Sequence, residues 1–372
     1  MLGMAMTACA QKSNNLNRVY HHVFENKSEN AGLELGNLIF YFENEQRVDL
    51  LSVNKGGSRE ERVFFFPLAH AKSLNVKAML DQLAVASVND YTLSLQVVEK
   101  PLQGIKCAIT FNPHKIGLTY DSFESINLKK GVMFRFYDRS LIEKLKHKSK
   151  NVLRVTSNRA HRARVVIDCG HGGQDDGAIG CHQLKEKDVN LNIGIATAYL
   201  LKKKGIDVLM TRMNDETQSL SKRVEFANTK GADLLVSIHS NSAANDKAAG
   251  LETFSMVPSH VHKESTSLNG HELSSILSAH KQRFKNSSLL ANSLQNSILE
   301  TIKPINNGLK DRKAKKAVLL VLLGSVMPSA LVEVGFISNP EEAALLKTQN
   351  YQRHVALGIC RGILNYLDTV SS

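Results

Sequence analysis

Four side chains in the C-terminal half of the chain have the types and settings to do chemistry together: His171, Glu186, His239 and Glu333. His171 follows an apolar run in RVVIDCGHGGQDDGAIG, and the glycines on both sides of it let the backbone leave a sheet with unusual dihedrals. His239 closes a second run, ADLLVSIHSN, and Glu333 lies inside a third, SALVEVGF. Glu186 stands where the glycine-spaced loop gives way to a helical pattern. Neutral imidazole is the commonest metal ligand in proteins. Two imidazoles and one carboxylate form a known catalytic zinc set with one coordination position left open. Glu333 is then the spare carboxylate, because an acid in so apolar a run is costly to bury without a partner or a task. The constellation predicts metal-assisted hydrolysis, with the metal as Lewis acid and the carboxylate passing a proton to a leaving amine. Each residue also has a plainer reading: a glycine-rich turn with an incidental histidine, a first-turn carboxylate favoured by the helix dipole, a hydrogen-bonded strand-end histidine.

The elements that must deliver these residues are legible as alternating periodicities. After the first strand, Val189, Ile193, Ala196 and Leu200 recur at helical spacing, Lys202 to Lys204 suit the helix C-terminus, and Gly205 stops it. Residues 207–211, 233–239, 251–256, 318–323 and 330–334 read as strands, and 220–230, 289–302, 340–347 and 351–367 as helices. Strands alternating with helices imply an α/β domain, a mixed and mostly parallel sheet flanked by helices, with ligands gathered beyond strand ends. Arg223 and Asn241 fall close enough to the expected site to shape it.

Upstream, residues 33–145 read as a smaller β-rich domain: short segments of β-branched and aromatic residues are separated by Gly, Asn, Pro or Asp, with one helix-like stretch near 77–85. It carries no cluster of catalytic types, so a binding or targeting module is the simplest reading. Residues 146–163, basic and short of large apolar side chains, read as a linker, and 164–372 as the catalytic domain. Two domains suit a chain of 372 residues with 42% hydrophobic content. The 47 Lys and Arg against 35 Asp and Glu favour anionic surfaces, but the basic clusters lack interleaved aromatics, which argues against nucleic acid. The five cysteines show no CxxC spacing and form neither a disulfide framework nor a zinc-finger pattern; Cys169 and Cys181 are open to being ligands, a disulfide or small buried residues. The tail, residues 1–32, begins MLGMAMTACAQ and looks like the end of a signal or lipoprotein segment without its basic front. That implies export to the periplasm or cell envelope, with a membrane involved only if Cys9 is lipidated.

Residues 164–367 resemble the zinc-dependent N-acetylmuramoyl-L-alanine amidases of the Amidase_3 type, through VVIDCGHGGQDDGAIG, KEKDVNLNIG, DVLMTR, LSKRVEFAN, ADLLVSIHSN, GLETF and MPSALVEVGFISNPEEAALL in that order. The resemblance implies one zinc ion held by His171, Glu186 and His239, Glu333 as the catalytic carboxylate, and peptidoglycan as substrate. The bond cut would join the lactyl group of N-acetylmuramic acid to L-alanine, for wall remodelling or daughter-cell separation. Cys169 and Asp176 stand where members of that family usually have proline, a change of loop stiffness that touches no ligand. By position, residues 33–145 are similar to the AMIN wall-targeting module of the cell-division amidases, with GVMFRFYD as the main echo. Regulated members carry a segment over the zinc that activators of the LytM type displace. The Ser-, His- and Lys-rich insertion at 257–287 occupies that place here, with Leu273, Ile276, Leu277 and Phe284 as a helical stripe and Glu272 as an expected inhibitory ligand. Two rival functions stand beside this one: a zinc muropeptide peptidase, and a non-catalytic peptidoglycan-binding or regulatory protein.

Overall fold

A computed structural model describes residues 16–23, 34–42, 49–67, 86–88, 91–98, 104–124, 130–139, 142, 163–256, 260–261 and 266–371. Residues 1–15 of the tail, with Cys9, the helix expected near 77–85 and the basic linker other than Ala163 lie outside the described residues, whereas residues 16–23 of the expected tail form a strand. The chain divides into two units.

The first unit is built from β1 (Leu16–Val23), β2 (Glu34–Phe42), β3 (Asp49–Gly56), β4 (Arg59–Pro67), β5 (Ala86–Val88), β6 (Tyr91–Val98), β7 (Gly104–Phe111), β8 (Ile116–Glu124) and β9 (Lys130–Asp138). All pairings are antiparallel, in one sheet ordered β1-β2-β9-β8 and a second ordered β3-β4-β7-β6-β5. Alternation decides which faces meet: Ile105, Cys107, Ile109 and Phe111 of β7, and Tyr91, Leu93 and Leu95 of β6, are buried at every second position. They join Phe40, Phe64, Phe66, Phe134 and Phe136 in one core shared by both sheets. Tyr91 stacks on Phe136 at 4.0 Å and Phe64 meets Phe134 edge-on at 4.7 Å. Each such ring contributes about 1.5–3 kcal/mol by burial.

The second unit begins with β10 (Arg164–Cys169) and a short 3-10 turn (Cys181–Gln183), followed by α1 (Glu186–Lys203), β11 (Asp207–Met210), α2 (Leu220–Thr229), β12 (Leu234–Asn241) and β13 (Leu251–Met256). After β14 (His260–Val261), which belongs to the first unit, come α3 (Gly270–Ile302, in the second unit from Leu277), β15 (Asp311–Ala317), α4 (Leu320–Leu323), β16 (Ser329–Phe336), α5 (Pro340–Leu346) and α6 (Gln349–Ser371). Six of these strands form a sheet ordered β11-β10-β12-β16-β13-β15, parallel except where β13 meets β16. Val165 and Ile167 are packed with Val189, Ile193 and Leu201 of α1, Leu290, Leu294 and Ile298 of α3, and Val355, Ile359 and Ile363 of α6. The three- and four-residue spacing of those helical positions is what gives each helix one apolar face.

Two readings of the sequence are corrected. Residues 318–323, expected as a strand, instead lead into α4, and the strand before it is the charged DRKAKKA of β15. A short continuous apolar run has no period to separate buried strand from buried helix, and a lysine-rich strand is what an exposed sheet edge favours. The helix expected at 289–302 starts well before Leu289, since α3 runs unbroken for 33 residues from Gly270 and takes in the helical stripe expected of the insertion. The first unit takes up residues 259–276 of it. There β14 extends the first sheet by pairing antiparallel with β8, Ser267 N–H donates to the Leu118 carbonyl at 2.9 Å, and Leu118 N–H to the Ser267 hydroxyl at 2.8 Å.

Candidate active site

The second unit gathers its polar residues at the C-terminal ends of β10 and β12, where a parallel sheet hands the chain to loops. Strand β10 carries Asp168, fully buried, whose carboxylate accepts hydrogen bonds from Thr211 and Ser237 (2.7 Å each) and from Arg223 (2.8 Å). Burial alone would push the Asp168 carboxyl up, but Arg223, Ser237 and Thr211 outweigh it and hold the group below the usual carboxylate value. Arg223 also donates to the carbonyls of Cys169 (2.5 Å) and His171 (2.7 Å), and Arg212 to those of Cys169 and Gly170 (2.9 Å each). Two guanidinium forks thus hold the backbone that presents His171, which has the left-handed φ of 60° that its flanking glycines hinted at.

Glu186 opens α1 almost wholly buried, and its carboxylate is the hub of the site. Oε1 lies 3.2 Å from His171 Nε2 and 2.9 Å from His239 Nδ1. It also accepts from Asn190 Nδ2 and the Ser240 N–H at 3.2 Å each, while Oε2 accepts from the Ala178 N–H at 2.9 Å. Burial opposes ionisation, yet His171 and His239 overcome it and hold the Glu186 carboxyl far below the usual range. Burial likewise lowers the His171 imidazole, and the Glu186 and Asp175 carboxylates more than offset it, so the ring binds a proton more tightly than an ordinary histidine. Asp175 Oδ2 sits 2.8 Å from His171 Nδ1 and fixes which nitrogen faces Glu186. The His171 and His239 rings meet edge-on at 5.0 Å. Gly170 allows that approach: a Cβ there would fall 2.3 Å from the His239 ring.

Glu333 lies on β16 beside His239 in register, and opposite Glu252 of β13 on its other side. Its Oε2 is buried and takes no hydrogen bond among the described residues. Burial, then the charges of Glu186 and Glu252, raise its pKa well above that of an ordinary glutamate. A carboxylate with that proton affinity is suited to accept and return a proton.

The donor set has the spacing and chemistry of a metal site. The ligand atoms of His171, Glu186 and His239 all lie within 4.8 Å of one another. Bonds of about 2.0–2.2 Å in a tetrahedral zinc site put neighbouring donors about 3.4 Å apart. The two nitrogen-to-Oε1 separations fall close to that, the nitrogen and oxygen chemistry is right for zinc, and Asp175 and Asn190 already brace the ligands from behind. The residues fit the ion.

The structure therefore brings His171, Glu186 and His239 together and sets Glu333 one strand away. Asn241 contributes indirectly, donating to Glu252 Oε1 at 2.6 Å, and Arg223 acts on the backbone behind His171. Within the first unit the Glu272 carboxylate accepts from Arg139 Nη1 at 2.5 Å to each oxygen, and from the Asn269 N–H at 2.9 Å. Leu273, Ile276 and Phe284 of the expected stripe are buried. Asp176 pairs with Lys187 at 2.8 Å and Lys185 at 3.2 Å, so ion pairs stiffen the loop at that position. Cys169 and Cys181 are free thiols, the first buried, the second 3.4 Å from the Ser338 carbonyl. The sequence reading missed Asp175, Asn190, Glu252 and Arg312. Asn190 was recoverable, four residues along the helix from Glu186, whereas Glu252 and Arg312 meet only across the sheet.

An α/β sheet with two histidines and a glutamate converging at its strand ends has the makings of a hydrolase site. Residues 165–365 match the family described as N-acetylmuramoyl-L-alanine amidase, Amidase_3, and the chain belongs to that family. It is 36% identical over 222 residues to the amidase AmiA of Escherichia coli K12, an alignment covering 54% of this chain and 75% of that protein. To a putative amidase of Buchnera aphidicola from Baizongia pistaciae it is 34% identical, over 54% of this chain and 95% of the relative. Among solved structures, AmiC2 of Nostoc punctiforme is 35% identical with a TM-score of 0.47, covering 56% of this chain and 98% of that one.

Proposed function

We propose that the second unit is a zinc-dependent amidase that hydrolyses the bond between the lactyl group of N-acetylmuramic acid and L-alanine in peptidoglycan. The observation that carries the mechanism is the juxtaposition of the His171, Glu186 and His239 donor atoms with the unpartnered Oε2 of Glu333 one strand away. His171, Glu186 and His239 would hold the ion. Bound there, zinc supplies Lewis acidity, polarising a carbonyl and making water a better nucleophile near neutral pH. Glu333 accepts the proton released as water adds to the lactyl carbonyl and delivers it to the departing L-alanine nitrogen. Asp175 keeps His171 in one tautomer and orientation, and Asn190 with the Ser240 N–H does the same for Glu186.

The first unit, two antiparallel sheets without a ligand cluster among the described residues, suits a wall-targeting role of the AMIN-like kind. Such a protein works outside the cytoplasmic membrane, and among the described residues no helix is long and apolar enough to cross one.

The test is incubation of purified protein with isolated peptidoglycan, with zinc and after chelation, followed by mass spectrometry of the released fragments. Metal-dependent release of peptides starting at free L-alanine is expected. Release of shortened stems would instead favour the peptidase, and sacculus binding without release the non-catalytic role.

A further inference from the structure

One cation close to the site has no task in the chemistry above. Arg312 lies on β15, at the edge of the second unit's sheet, and donates through Nε to Glu252 Oε2 at 2.9 Å. Its guanidinium stacks over the Phe336 ring at 4.8 Å from the centroid. The two terminal nitrogens take no partner among the described residues, and the side chain is 36% exposed. The guanidinium is thus clamped at one edge and one face while its outward fork faces solvent. That is the geometry with which arginine binds a carboxylate through two parallel hydrogen bonds.

The backbone is bent to put it there. Leu251 pairs with Asp311 and Thr253 with Ala314, so Arg312 and Lys313 together oppose Glu252 in a β-bulge. Lys313 has φ of 71°, a left-handed conformation uncommon for a residue with a side chain, and Asp311 holds it through the Lys313 N–H at 2.9 Å. Bulges re-aim side chains, and such backbone strain gathers at functional sites. Glu252, 4% exposed, is fixed by Asn241 and Lys315 as well as by Arg312. The result is one row across four adjacent strands, His239, Glu333, Glu252 and Arg312, running from the metal ligands to the sheet edge.

We propose that Arg312 is a substrate-recognition residue that binds a carboxylate of the peptide released by the reaction. Strands spaced about 4.8 Å apart put β15 about 10 Å from β16, and an extended peptide covers that distance in about three residues. The carboxylate therefore lies within about three residues of the scissile amide. This rests on the amidase reading of the Glu333 site.

The test compares two soluble N-acetylmuramoyl peptides, one with a free carboxylate within three residues of the scissile amide and one with the matching carboxamide. Both are given to the zinc-loaded full-length protein and to its Arg312→Lys and Arg312→Gln variants. Wild type should prefer the carboxylate in kcat/KM by roughly tenfold or more, the usual scale of a charge-assisted hydrogen bond. Arg312→Lys, which keeps a cation for Glu252 but loses the fork, should lose most of that preference, and Arg312→Gln nearly all of it. Unchanged zinc content in both variants excludes collapse of the site. Equal rates on the two substrates for wild type, or a preference retained in both variants, would overturn the proposal. Failure of wild type to cleave either substrate while holding zinc overturns the amidase reading and this inference with it.

Discussion

Glu333 and Glu252 stand opposite each other on antiparallel strands, yet among the described residues only Glu252 is matched by cations. Arg312 and Lys315 neutralise one acid, and the other keeps an unpartnered buried oxygen beside the metal-ligand cluster. Pairing of one carboxylate and isolation of its neighbour separates a structural charge from one free to move a proton.

From that asymmetry, Glu333→Gln should retain zinc and lower kcat by roughly 10²–10⁴-fold, the usual worth of a general base. Metal analysis and turnover on the same preparation check it. A near-normal rate would remove Glu333 from the mechanism.

His171→Ala and His239→Ala should each lose bound metal, measured as zinc per chain after dialysis. Asp175→Ala removes no ligand, only the group behind His171, and should weaken zinc by about 10–100-fold. Competition with a chromogenic chelator reads that difference.

Gly170→Ala puts a methyl group 2.3 Å from the His239 ring, so the ring must shift to admit it. The variant should keep its circular dichroism spectrum and lose zinc affinity. Wild-type affinity would mean that the ring can yield without cost.

Asp168→Asn should destabilise the second unit by about 3–5 kcal/mol, because it leaves the buried Arg223 charge without its partner. The Asp168 pKa is lowered in the fold, so its stabilisation is full above the unfolded value of about 4 and fades as pH falls toward the folded one. Urea unfolding at several pH values should therefore show the gap between wild type and variant narrowing in acid.

Glu272→Gln separates two roles for the 257–287 insertion. If Glu272 serves the first unit through Arg139, that unit's unfolding should weaken by about 1.5–3 kcal/mol with zinc content and basal turnover unchanged. A rise in basal turnover would instead identify Glu272 as an inhibitory ligand.

The sequence by itself determined the residue types and the local geometry: apolar runs ending in His171 and His239, a carboxylate at the start of a helix, and an acid inside SALVEVGF. Local periodicity and the cost of burying polar groups act over a few residues, so they can be read along the chain. The α/β alternation of the second unit and the β-rich character of the first were legible for the same reason. Only the tertiary structure decided which strands lie side by side, and so that Glu252 and Arg312, 60 residues apart, would form an ion pair next to Glu333. It alone decided that Glu272 would pair with Arg139 across 133 residues and that residues 259–276 would complete the β-rich unit. Sheet order and register arise from contacts between distant segments, and no pattern within one segment records its neighbour.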